Sequence, residues 1–127
     1  MDTLSLHDAL PISEATRGGA DPELPDIVAE AKRLAGPEGI DRMLSDYDCV
    51  ALIAPTTGRA FPISLEAGDS HEGACTTLPA VSGYPHLTVP MGLADDLPVG
   101  LSFMGPAFAE ARLLALGFAY EQARIKR

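Results

Sequence analysis

The first patterned part of the chain has the apolar spacing of an amphipathic helix. After Asp21-Pro22, apolar residues recur every three or four positions, which is the period of one helix face. They are Ile27, Val28, Ala31, Leu34 and Ala35. Gly36-Pro37 predicts the end of this helix, because Gly terminates helices and Pro does not continue them. A shorter helix over 40–44 and a turn at 46–48 are predicted to follow.

The end of the chain shows a second clear helical period. An apolar stripe there predicts a helix from about Phe108 to Arg124, with the stripe packed across a sheet. The stripe consists of Ala111, Leu114, Ala115, Phe118, Ala119 and Ile125.

Between these helices the pattern predicts a mixed sheet, and so an α/β fold class. Every residue of Cys49–Ala54 is apolar, which is typical of a strand covered on both faces, so we expect it in the interior of the sheet. His86–Met91 and Val99–Met104 are extended stretches joined by the turn-rich segment 92–98, and they predict an antiparallel hairpin. A short helix is expected from Thr77 to the terminator Gly83.

The segment Pro55–Thr77 is rich in Gly, Pro, Thr and Ser and lacks a period, so we expect a long ordered loop. Within it, Ser70-His71-Glu72 places a nucleophile, a base and an acid side by side. Members of a catalytic triad meet in space from separated positions, so these three are interpreted as solvated loop residues. His86 is expected at a sheet edge or a helix boundary.

Composition narrows the function classes. The 127 residues are 46% hydrophobic, which indicates one packed domain. A formal net charge of −9 argues against nucleic acid as a partner, because phosphate binding depends on Lys and Arg. The longest apolar run, Cys49–Pro55, is far shorter than the roughly 20 residues of a membrane-spanning helix. We therefore expect no membrane association and a cytoplasmic location.

Neither a metal nor another cofactor is predicted. Cys49 and Cys75 lack a CxxC spacing, and no histidine has a companion at metal-ligand spacing.

Residues 1–20 carry no period, and the patterned domain is expected over 21–127. Met1–Ser13 also resembles a peptide translated from sequencing-adapter DNA. We expect residues 1–20 to be non-native to the domain, or disordered.

Three segments in this order resemble the C-terminal part of the amidase signature family. The first is Asp46–Thr57, an apolar strand that ends in Ala-Pro-Thr. The second is Leu78–Gly92, with the pattern Pro-Ala…Gly-Tyr-Pro…Thr-Val-Pro-Met-Gly. The third runs from Leu97 to Ala123 and contains Phe-Met-Gly-Pro-Ala. The resemblance implies part of an α/β/α fold with a mixed sheet and flanking helices.

The resemblance also implies hydrolysis of carboxamide C–N bonds by a Ser nucleophile, which a second Ser and a Lys activate. The chain departs from the family at this point, because it contains no Gly-Gly-Ser-Ser stretch and its lysines are Lys32 and Lys126. Lys32 lies on an amphipathic helix pattern and Lys126 near the end of the chain, so neither resembles a buried catalytic base. No catalytic residue is assigned, and the chain alone is expected to be inactive.

The resemblance points to Cys75, Thr76 and Thr77 as a wall of the substrate pocket. The implied partners are a small-molecule amide, bound by the full-length enzyme, and a missing N-terminal part of the amidase domain. Two alternatives stay open. The chain resembles, in the same segments, subunits that release ammonia from glutamine for tRNA-dependent amidation, and it could also be a non-catalytic binding or assembly module.

Overall fold

The computed structural model describes residues 22–66, 68 and 73–125. The chain divides into two compact units, Met1–Ala31 and Lys32–Arg127. In the first unit the described residues 22–31 are helical from Leu24 onward, and all but Ala31 are exposed. The prediction for residues 1–20 lies outside the described residues and stays a prediction.

The first helical pattern forms α1, Leu24–Ala35, but the helical run does not stop at Gly36-Pro37. A π-helix, Gly36–Asp41, follows directly and leads into α2, Arg42–Asp46. At the position where the helix was predicted to end, the chain changes from an α-helix to a π-helix and stays helical. Pro37 lies in the first turn of the π-helix and has no N–H, so the regular α-helical bond to Arg33 O cannot form at this point of the helical run. Ile40 and Leu44 are buried, as their spacing predicted.

In the described part of the chain, three strands form one sheet, with the order β1-β3-β2. They are β1, Leu52–Pro55, β2, His86–Ala94, and β3, Leu97–Met104. Both pairings are antiparallel, so the prediction of a mixed sheet is wrong for the described residues.

The prediction of an interior strand at Cys49–Ala54 is also wrong for the described residues, because β1 begins at Leu52 and lies at the sheet edge. The interior strand is β3. The continuous apolar run does not reflect two covered faces here, since half-buried and exposed residues alternate along β1 and Ile53 is 64% exposed.

The predicted hairpin is confirmed, with longer strands and a tighter turn. Only Asp95 and Asp96 separate β2 from β3, and their φ angles are 49° and 63°. Positive φ at both central residues is the requirement of a type I′ turn, which Asp tolerates better than most residues. A bulge between Pro90 and Gly92 shifts the register of the hairpin.

Two further helices complete the described fold. The predicted short helix is α3, Thr77–Ser82, and Gly83 closes it in the left-handed conformation with φ 78°. The terminal helix is α4, Glu110–Ile125, which packs on β2 and β3. The core between α4 and the sheet centres on Val89, Phe103 and Leu113.

The face of α4 that packs is not the predicted one. The residues of the predicted stripe, Ala111, Leu114, Ala115, Phe118, Ala119 and Ile125, are all outside the buried core. The sheet instead receives Leu113, Leu116, Gly117 and Tyr120. Gly117 lies against the sheet on this face: a Cβ there would lie 2.5 Å from Leu87 Cδ2, so the Leu87 side chain would have to shift to admit a larger residue.

None of the described helices is long and apolar enough to cross a membrane.

Candidate functional site

The loop that follows β1 closes through a short backbone stem. Thr57 and Ala74 form an isolated antiparallel bridge, and Gly58 N donates to Gly73 O at 3.3 Å. Next to the bridge, Cys75 N donates to Thr56 O at 3.1 Å. These bonds fix where the chain re-enters the domain ahead of α3. Residues 67 and 69–72, including Ser70-His71-Glu72, lie outside the described residues.

Cys75 lies between two cavities. Its thiol is half-buried, and Sγ donates to Thr56 O at 3.6 Å. On one side is an apolar cavity of about 350 Å³, where Cys75 meets Leu52, Leu78 and Met104. On the other side is a cavity of about 420 Å³ bounded by Pro55, Thr57, Gly58, Gly73 and Ala74. The structure therefore places Cys75 on the walls of two open spaces.

Thr76 and Thr77, which were predicted to line the pocket with Cys75, lie in different positions relative to the cavity. Thr77 is the first residue of α3 and lines the cavity of about 350 Å³. Thr76 occupies the N-cap position without a side-chain capping bond, and it does not line that cavity. The structure thus brings Cys75 and Thr77, but not Thr76, to one cavity. That these residues contact a substrate stays a prediction.

A polar network that the sequence reasoning missed connects all three strands beneath the loop. At its centre is Ser102 of β3, which is fully buried. Ser102 Oγ donates to Thr56 Oγ1 at 2.8 Å and lies 2.6 Å from His86 Nε2. Since a hydroxyl carries one proton, His86 Nε2 is the donor to Ser102 in this arrangement. Thr88 Oγ1 completes the network, 3.3 Å from Thr56 Oγ1 and 3.4 Å from Ser102 Oγ.

The register of the sheet places these side chains on one face. Ser102 pairs with Thr88 on β2 and with Ala54 on β1, two residues before Thr56. Gly100 makes room for the network, because a Cβ there would lie 2.7 Å from Thr88 Cγ2 and 2.8 Å from Thr56 Oγ1. His86 begins the outer strand β2, which confirms its predicted place at a sheet edge.

The network supports the loop rather than forming a reactive pair. Thr56 joins the polar network to the stem of the loop, because its hydroxyl contacts Ser102 Oγ and its carbonyl oxygen accepts a hydrogen bond from Cys75 N. Ser102 has no exposed surface, so a substrate has no route to its hydroxyl. Its role is to hold the start of the loop against the sheet.

A second polar contact fixes the π-helix. Tyr84 Oη donates to Asp41 Oδ2 at 2.7 Å, which joins the end of the π-helix to the segment between α3 and β2. The hydrogen bond to Asp41, with smaller effects from burial and from the negative charge, raises the pKa of Tyr84 above its ordinary value. Asp41 Oδ1 is buried without a hydrogen-bond partner among the described residues.

An ion pair lies next to the stem of the loop. The Arg59 guanidinium contacts the Asp95 carboxylate of the hairpin turn, and both residues line a cavity of about 500 Å³ together with Met91 and Val99. Both side chains are substantially exposed, so the pair contributes little to stability. Among residues 22–66, 68 and 73–125, no group of three or more His, Cys, Asp or Glu side chains could hold a metal ion.

Comparisons with known proteins give a consistent result. The native peptide amidase from Stenotrophomonas maltophilia has a solved structure that matches with a TM-score of 0.73 and 49% identity, over 82% of this chain and 20% of that chain. A peptide amidase bound to the competitive inhibitor chymostatin matches with a TM-score of 0.77 and 52% identity, over 82% of this chain and 21% of the amidase chain. A glutamyl-tRNA(Gln) amidotransferase subunit of Lactiplantibacillus plantarum is 38% identical over 88 residues, which are 65% of this chain and 18% of the relative.

The chain is homologous to part of the amidase-signature proteins. It spans about a fifth of the length of the relatives that it matches. The resemblance found in the three sequence segments is thereby confirmed, and the described helices and antiparallel sheet correspond to a portion of an amidase-signature structure. The corresponding amidotransferase subunit from Thermotoga maritima, at 20% identity and a TM-score of 0.55, supports the fold alone. No family model matches the chain.

Proposed function

We propose that this chain is the C-terminal portion of an amidase-signature hydrolase that cleaves carboxamide C–N bonds, and that its substrates are peptide amides. The observation that carries the proposal is the identity of 49–52% to peptide amidase structures over 82% of this chain. The curated amidotransferase subunits reach 34–42% over 56–76% of the chain. The higher identity favours the peptide amidase activity over ammonia release from glutamine.

Within such an enzyme, the chain would supply a wall of the substrate pocket. Cys75 and Thr77 border a largely apolar cavity, which suits the side chains of a peptide better than a charged ligand. Thr76 belongs to the same proposed wall as the residue that joins the loop to α3. The network of Ser102, Thr56 and His86 would hold this wall in position through the carbonyl oxygen of Thr56.

We further propose that the 127 residues alone do not hydrolyse amides. Attack on an amide needs an activated nucleophile and donors to the developing oxyanion, and their loss removes several kcal/mol of transition-state stabilisation. The chain contains no Gly-Gly-Ser-Ser stretch. Of its two lysines, Lys32 is exposed on α1 and lacks the burial that a lysine acting as a catalytic base requires. The catalytic groups would come from the remaining part of an amidase domain.

A chimera tests the proposal. Residues 22–127 of this chain would replace the matching fifth of the Stenotrophomonas maltophilia peptide amidase, and ammonia release would be measured with peptide amides and with free glutamine. We expect the chimera to hydrolyse peptide amides and to prefer them over glutamine. The isolated chain serves as the matched control and is expected to release no ammonia.

Two results would contradict the proposal. Preference of the chimera for glutamine would favour the amidotransferase activity instead. A folded chimera without hydrolysis of any amide would favour a non-catalytic module that shares only the fold.

A further inference from the structure

Helix α4 carries a second apolar face besides the one that packs on the sheet. Its inner face packs on the sheet through Leu113, which is 1% exposed, and through Tyr120, whose ring contacts Phe103 edge-on with centroids 6.0 Å apart. A helix at the surface of a complete domain normally carries polar residues on the face turned away from the sheet. A second apolar face is typical of a helix that packs against another element in addition to the sheet.

The outer face of α4 carries a compact apolar stripe. Leu114, Phe118 and Ile125 are 61%, 63% and 77% exposed. With 3.6 residues per turn, these side chains lie within about 40° of one another around the helix axis. We call these three residues the outer stripe of α4. None of them contributes to the described core.

The sheet is also uncovered beside α4. Ile53 of β1 pairs with Phe103 of β3, so its side chain lies on the face of the sheet that α4 covers over β2 and β3. Ile53 is nevertheless 64% exposed, because α4 does not extend over β1. The free edge of β1 faces no other described strand. Sheet edges in native proteins are normally paired or covered.

We infer that the outer stripe of α4 and the uncovered face of β1 form a docking surface for the remaining part of an amidase-signature polypeptide. This inference rests on the proposed function. The occupant follows from length: this chain covers 21% of a matching peptide amidase chain, so about four-fifths of such a fold lies outside it. That part must pack against the fifth that this chain supplies, and these two uncovered apolar areas, which lie beside each other at the sheet, are suited to it.

Association is the readout that tests this surface. The full chain would be co-expressed with the Stenotrophomonas maltophilia peptide amidase lacking its matching fifth, and the dissociation constant would be measured by sedimentation. We expect a one-to-one complex. Leu114→Ser combined with Phe118→Ser should weaken it at least about 100-fold, because two apolar side chains lose their buried contacts.

Arg112→Ser is the matched control, since Arg112 is exposed on α4 about 120° or more around the helix from the outer stripe. It should change the dissociation constant less than about threefold. Ile125→Ser gives a second variant within the stripe and should weaken the complex about tenfold. Unchanged circular dichroism of each variant shows that the fold of the chain is intact, as expected for residues outside its core.

Each remaining outcome overturns the inference. These outcomes are absence of a complex, a complex that tolerates the double substitution, and self-association of the chain through the outer stripe. The proposed function is judged separately by hydrolysis. A complex without hydrolysis contradicts only the function, whereas an active chimera without a complex of the separate parts contradicts only the docking surface.

Discussion

The buried hydroxyl of Ser102 predicts a measurable loss of stability on Ser102→Ala. The substitution removes a donor to Thr56 Oγ1 at 2.8 Å and an acceptor for His86 Nε2 at 2.6 Å. Thr56 keeps a weaker contact with Thr88 at 3.3 Å, whereas the half-buried His86 nitrogen loses the partner that the structure shows for it. A buried polar group left without a partner costs about 1–3 kcal/mol, so we expect a loss of about 2 kcal/mol.

Thr88→Val is the matched control for this prediction. It removes a hydroxyl of the same network and keeps the branched shape, but its contacts are 3.3 and 3.4 Å long and Thr88 is exposed. Its expected cost is below about 0.5 kcal/mol. The loss of stability in each of the two variants is measured by urea unfolding of the chain at low micromolar concentration, with circular dichroism as the signal. At an m-value of about 2 kcal/mol/M, Ser102→Ala should lower the urea midpoint by about 1 M. Equal midpoints for the two variants would refute the reasoning.

Three further predictions concern other parts of the structure. Absorbance titration should show Tyr84 ionising above the ordinary tyrosine pKa. The raised pKa means that its stabilising effect is complete below about pH 10 and is lost as the pH rises through the folded-state pKa, so alkaline loss of stability should be smaller in Tyr84→Phe. Gly83→Ala should cost about 1 kcal/mol in the same urea assay, because φ at this position is 78°; an unchanged midpoint would contradict the left-handed cap. In the chimera, Cys75→Leu should raise the KM for a peptide amide about tenfold with little change in kcat, whereas the exposed turn variant Asp96→Ala should leave both unchanged.

Local patterns predicted the elements of the fold well. The hairpin, α3 with its terminator Gly83, and α4 all follow from the periods and from the Gly and Pro positions along the chain. The turn of the hairpin was placed too broadly. Two consecutive acidic residues are a weak turn signal, and the positive φ angles of Asp95 and Asp96 become visible only in the structure.

Relations between distant elements could not be predicted in the same way. The edge position of β1 depends on which strands pair, and an apolar run is compatible with either an interior strand or a missing neighbour. The packed face of α4 was ambiguous because the helix carries two apolar faces, and only the structure shows that Leu113, Leu116 and Tyr120 pack on the core. Both errors concern packing between distant elements, which the local sequence pattern does not specify.

The candidate site was predicted only in part. Cys75 and Thr77 were named through the resemblance, and the structure places both at one cavity. The network of Ser102, His86 and Thr56 was missed because its members are far apart in the sequence. A partial signal existed in the hairpin, since an accurate register would have placed Thr88 opposite Ser102.

The most direct test of the proposed function compares ammonia release from a peptide amide by the 127-residue chain alone and by the chimera that carries its residues 22–127. We predict hydrolysis by the chimera and none by the chain alone, because the chain would provide a pocket wall and not the nucleophile. Turnover by the purified chain, as a monodisperse monomer and after removal of contaminating enzymes, would contradict this prediction.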